Sequence, residues 1–134
     1  MILRLVLLVV LTLMAVGVAV VLQRRRPEAP SAPSYRAPTQ LDRADFSEPE
    51  TPILVVVFSS RTCDSCAGVW ELVGSLDRPD TVVERIDVEA DAERHKRYRI
   101  DGVPTTLVVD PRGVVQHSFF GPIPAEEFRL ALPH

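Results

Sequence analysis

Ile53-Leu54-Val55-Val56-Val57-Phe58-Ser59 reads on into Ser60-Arg61-Thr62-Cys63-Asp64-Ser65-Cys66, and this stretch decides the fold.

 The three valines Val55 to Val57 give way to a valine-free close at Phe58 and Ser59. A continuous apolar run of strand length predicts a central strand buried on both faces. From Cys63 to Leu76 the apolar positions change period: Cys66, Val69, Trp70, Val73 and Leu76 recur at helical spacing. Cys63 and Cys66, the only two cysteines in the chain, therefore fall where a buried strand turns into a helix.

That placement carries chemistry. A thiol attacks a disulfide only as its thiolate, and a free cysteine has a pKa near about 8.5. At a helix N-terminus, unpaired backbone N–H groups and the helix dipole stabilise the anion. Cys66 shares a face with Val69, Trp70 and Val73, which points it inward. The pattern predicts an asymmetric pair, Cys63 exposed and attacking, Cys66 buried and resolving. Asp64 adds a local negative charge that opposes thiolate formation and favours a more reducing pair. An inert structural disulfide is the plain alternative, but closing four residues stabilises a fold by only about 1.9 kcal/mol on the chain-entropy model. Half of a zinc site is another; it needs four ligands, and only His95, His117 and His134 could complete it, from separate elements.

Pro104 stands 41 positions after Cys63, at the head of the apolar run Thr105 to Val109. Proline gives no ladder hydrogen bond, so its place in a central strand calls for explanation. A cis Val103–Pro104 bond supplies one and leaves the Val103 backbone for an incoming extended peptide. An ordinary trans proline at a strand start is the bland alternative.

The other elements alternate. Val82 to Val88 reads as a strand, Asp91 as the cap of a helix to about Arg99, and Val114 to Phe120 as a hairpin partner of Pro104 to Val109. Pro124 opens a last helix to about Leu132. Trp70 reads as core, and the cluster Arg94 to Arg99 as a solvated helix face with ion pairs. From Ile53 onward nine Lys and Arg face thirteen Asp and Glu, which argues against nucleic acid as a partner.

Ahead of this domain, Ile2 to Leu22 is apolar except for Arg4, Thr12 and Gly17. As a helix it measures about 31 Å, against a hydrocarbon core of about 30 Å. The expected organisation is an N-terminal transmembrane anchor over 1–23, an Arg/Pro-rich linker over 24–50 and a domain over 51–134, with 41–50 as a short first element carrying Leu41 and Phe46. A cleaved secretory signal is the competing reading, set back by the length of the run and the lack of a clear cleavage site. Arg24 to Arg26 outweigh Arg4 and the amino terminus slightly, favouring a cytoplasmic domain; an extracytoplasmic one is the alternative.

From Leu41 to Leu132 the chain resembles the thioredoxin family, in particular its small membrane-tethered bacterial members. The likeness rests on Phe58-Ser-Ser-Arg-Thr-Cys63-Asp-Ser-Cys66, on Arg85-Ile-Asp-Val-Glu89, on Ile100-Asp-Gly-Val-Pro104-Thr105 and on Gly121. It implies an α/β fold with a central mixed sheet flanked by helices, and a Cys63–Cys66 disulfide that exchanges with protein thiols and disulfides. It further implies Cys63 as nucleophile, Cys66 as resolving thiol, and Val103 and Pro104 as the substrate-binding edge. A monomer with no metal or organic cofactor, served by an upstream dithiol donor or acceptor, completes the expectation. Several positions depart from the family, and four of them are expected to modulate the pair. Thr62 replaces a tryptophan and Asp64-Ser65 a Gly-Pro, while Arg85 stands where a lysine pairs with a buried aspartate. That aspartate's own position is Val57, so resolution at Cys66 is expected to be slow or to use water. A redox-inert peptide-binding module of the same fold is the alternative.

Overall fold

The computed structural model describes residues 1–24 and 36–134, with side chains over 1–18 and 36–134. It comprises two compact units, Met1–Ser34 and Tyr35–His134. In the first, α1 runs over Ile2–Arg24. Its described side chains are apolar except for Arg4 and Thr12, and all are exposed, Leu5 and Leu8 among them. Among the described residues no helix is long and apolar enough to cross a membrane. The amino-terminal part of the expected linker, with Arg25 and Arg26, lies outside the described residues.

The second unit is built around β1 (Ile53–Ser59), every residue of which is buried. Its neighbours are β2 (Thr81–Asp87), which pairs in parallel, and β3 (Thr105–Val109), which pairs antiparallel. β4 (Val115–Phe120) pairs antiparallel with β3, giving the sheet order β2-β1-β3-β4. Strand alternation splits the apolar run between two cores. Leu54, Val56 and Phe58 pack with Ile86, Leu107 and Tyr98 on one face. Ile53, Val55 and Val57 pack with Val69, Val73, Val108 and Phe128 on the other. The second face is covered by α2 (Asp64–Gly74) and α4 (Ala125–Ala131), through Val69 and Val73 of α2 and Phe128 of α4. α3 (Ala92–Arg97) packs on the first face, and Asp91 caps it by accepting from the Arg94 amide at 3.0 Å.

The charged helix is less uniform than its sequence implies. Arg94 pairs with Glu84 of β2 at 2.7 Å as well as with Asp91, and Arg97 reaches Asp45 at 2.9 Å. His95, between them, is buried; its Nε2 meets the Ile86 carbonyl at 2.8 Å and its ring stands edge-on to Phe58. It belongs to the core.

The stretch 41–50, expected as a short first element, holds Leu41 and Phe46, and both are buried in the first core. A single 3₁₀ turn, Arg43–Asp45, separates them. Arg43 is itself buried, its guanidinium donating to the carbonyls of Asp110, Glu48 and Thr51 at 3.0, 3.2 and 2.8 Å. The Asp110–Gly113 turn closes over the same segment, and Leu41 donates to the Gly113 carbonyl at 2.8 Å. Gly113 has φ +83°, and a Cβ there would lie 2.0 Å from the Leu41 carbonyl oxygen. Leu41→Ala is expected to destabilise the domain by about 2–5 kcal/mol, as a buried truncation does. Urea unfolding of that variant checks this; a linker residue would leave the midpoint unchanged.

Candidate redox site

The sheet brings the separate motifs to one end. β1 finishes at Ser59 beside Asp87, the last residue of β2, and Phe58 faces Thr105, the first residue of β3. The loop to Cys63 and the segment at Pro104 therefore leave the same edge of the sheet. The Val103–Pro104 bond is cis. The Pro104 carbonyl accepts from the Gly121 amide at 2.9 Å, tying this segment to the end of β4. Gly121 has φ +83°, a conformation that favours glycine, and no atom lies near its Cβ position.

Cys63 is the N-cap residue of α2 and makes no capping bond with its side chain, so its sulfur stands at the positive end of the helix dipole. It forms a disulfide with Cys66, their Cα atoms 5.4 Å apart. Cys63 is half-buried, whereas Cys66 is 1% exposed. The Ser65 hydroxyl lies 3.7 Å from Cys63 Sγ, and Asp64 is exposed in the first turn of the helix. A groove of about 390 Å³ runs alongside, between Asp64, Ser65 and Gly68 of α2 and the Pro122–Ile123 segment.

Glu89 governs the loop ahead of Cys63, a role that sequence reading did not find. Its carboxylate accepts from the Ser60 hydroxyl and, with both oxygens at 3.1 Å, from the Arg61 amide. Ser60 Oγ in turn lies 3.0 Å from the Thr62 hydroxyl. The Ser60 hydrogen bond, foremost, holds the Glu89 carboxyl below the usual glutamate range.

Arg85, expected to modulate the pair and left without an acid at position 57, has another acid beside it. In the structure its Nε donates to Asp87 at 2.9 Å and to the Ser59 hydroxyl at 3.0 Å, and Ser59 donates to Asp87. The reason is strand periodicity: residues two apart share a face, so Asp87 supplies the missing acid. The Arg85 guanidinium lies 5.9 Å from the centre of the half-buried Trp70 ring. Val57, opposite Arg85 in the ladder, is fully buried.

No family model and no curated protein matches the chain. Solved structures do. StoA from Bacillus subtilis matches with a TM-score of 0.50 at 14% identity, over 61% of this chain and 83% of that one. A mutant thioredoxin from Halobacterium salinarum gives 0.53 at 21% identity, over 59% and 70%. The germline-specific thioredoxin Deadhead from Drosophila melanogaster gives 0.50 at 28% identity, over 61% and 77%. The domain is thioredoxin-like. In this thioredoxin-like domain the paired cysteines, the cis proline and the glycine after β4 meet at one edge of the sheet.

Removing the Glu89 charge should loosen the loop that carries Cys63. Glu89→Gln is expected to raise hydrogen exchange at the Arg61 amide several-fold while the β1 amides keep their protection. The depressed carboxyl also fixes a direction with pH. Its contribution is complete above the ordinary glutamate pKa and is lost as pH falls through the lower value in the folded state. Exchange at Arg61, corrected for intrinsic rates, should therefore rise only on acidification below the usual glutamate range.

Proposed function

We propose that the chain is a membrane-anchored thiol–disulfide oxidoreductase acting on protein substrates as a monomer. The observation that carries this reading is the pair itself: a disulfide at the N-terminus of α2, with one half-exposed and one buried sulfur. The Cys63 thiolate attacks a substrate disulfide and expels one substrate sulfur, forming a mixed disulfide. Cys66 then attacks the Cys63 sulfur, re-forms the Cys63–Cys66 bond and releases the second substrate sulfur as a thiol. An upstream dithiol protein returns the domain to its reduced form; run backwards, the same steps oxidise a substrate. Val103 offers its backbone to the extended substrate, with Pro104 beside it shaping that edge, and Thr62, Asp64 and Ser65 tune the attacking sulfur. The chemistry calls for no metal or organic cofactor.

Anchoring is supported by the 21-residue apolar run and by an α1 with no polar face among its described side chains. The excess of arginine after the run favours a cytoplasmic domain by a small margin. Carbonate extraction of membranes that express the full chain tests the anchor, and protease accessibility reports the side.

In the full chain, Cys66→Ser is expected to accumulate a mixed disulfide through Cys63, and Cys63→Ser to trap no partner and lose exchange altogether. Normal exchange by Cys63→Ser would remove the reading. A reduction potential near about −270 mV would identify a reductase, and one above about −180 mV an oxidant or isomerase. The buried Val57, where the family keeps an acid, favours one other reading, a peptide-binding module with inert cysteines. Peptide binding that survives loss of both cysteines, in a chain with no exchange activity, would select it.

A further inference from the structure

The face of the sheet beneath α2 carries a polar atom that the proposed chemistry has not yet used. Arg85, Val57, Thr106 and Phe119 stand in one row across β2, β1, β3 and β4. Thr106 is fully buried, and its Oγ1 has no hydrogen-bond partner. Thr105, on the opposite face, differs: its hydroxyl donates to the Gly102 carbonyl at 2.8 Å. An unpaired buried hydroxyl costs free energy that an apolar side chain at the same place would not. A partner present in another state of the protein accounts for it.

Cys66 is the group whose state changes. It lies on the inward face of α2, one turn before Val69, and Val69 packs with Val57 and Val108. Those two valines are the neighbours of Thr106 on this face, Val57 across the ladder and Val108 two residues along β3. β3 starts at the redox edge, so the step from Val108 to Thr106 runs in the same direction as the step from Val69 to Cys66. In the disulfide, Cys66 sulfur has neither a proton nor a charge. In the mixed disulfide of Cys63 it is a buried thiol that must become a thiolate to attack.

We propose that the Thr106 hydroxyl donates a hydrogen bond to the Cys66 thiolate as the mixed disulfide is resolved, a contact that Val57 cannot make. The role rests on the oxidoreductase reading above. In that step the Cys66 sulfur bonds to the Cys63 sulfur, and the bond from Cys63 to the substrate sulfur breaks. The substrate sulfur leaves with the electron pair and takes up the proton that Cys66 gave up. Thr106 keeps its own proton throughout.

Thr106→Val and Thr106→Ser in the full chain test this by rapid mixing with a disulfide-bonded peptide. Thr106→Val is expected to slow release of the peptide thiol about tenfold, the scale of a lost hydrogen bond to a charged group. It should also move the pH profile of release upward, while mixed-disulfide formation at Cys63 keeps its rate. Thr106→Ser should keep the parent rate and profile. Parent-like release by Thr106→Val overturns the assignment, and so does equal slowing in both variants with no shift in profile, which marks a packing defect. If the parent chain forms no mixed disulfide, the oxidoreductase reading fails and the Thr106 role falls with it.

Discussion

The redox edge depends on β1 being buried on both faces and paired on both sides. A strand with seven buried residues has no freedom to slip, because a shift of one position would exchange its two cores. Val56 would then leave the company of Leu107 and Tyr98 for that of Val73 and Phe128. Each fully buried side chain of this kind is worth about 1.5–3 kcal/mol. Fixed register sets where the chain leaves the sheet after Ser59, and so where α2 can start. It also sets which residue of β3 stands opposite Phe58, and Pro104 precedes that residue. Two motifs far apart in sequence are thus aligned by one strand.

The charges near the edge are arranged to hold the backbone more than to act on sulfur. Glu89 fastens the Ser60–Arg61 loop, and Asp87 occupies Arg85 through its Nε. Cys63 stands at the start of α2, where the helix dipole favours an anion and the Asp64 charge opposes one. The half-exposure of Cys63 keeps solvent close to these charges and screens them.

Much of this was legible because it depends on local pattern. The continuous apolar run, the change to helical spacing at Cys63 and the two turns around β3 each announce an element within a few residues. The order of elements read from them is the order found. Less was legible where packing joins distant residues. Leu41 and Phe46 read as a short first element, but the β1 and β3 residues they pack with lie beyond any local pattern. Glu89 follows a strand and looks like surface, since its hydrogen bonds to Ser60 and Arg61 span 29 and 28 positions. His95 sits in a charged run, yet helical geometry turns it to the core. The Arg85–Asp87 pair follows from the strand period of two, which sets both side chains on one face.

Val57 changes what the buried face has to solve. A carboxylate at position 57 would need desolvation, which is costly for an unpaired charge. A valine packs there without that cost, and strengthens the core that holds Val69 and Phe128. What is lost is a base able to receive the Cys66 proton. A hydroxyl cannot replace it in that sense, because it holds its own proton far too tightly near neutral pH; it can only lower the energy of the anion. On the proposed chemistry the proton then has to travel with the departing sulfur. Release becomes sensitive to the leaving thiol, since a sulfur of high pKa leaves slowly unless a proton meets it. A face built from valine, an occupied arginine and one hydroxyl therefore favours substrates whose departing thiol is already a good leaving group.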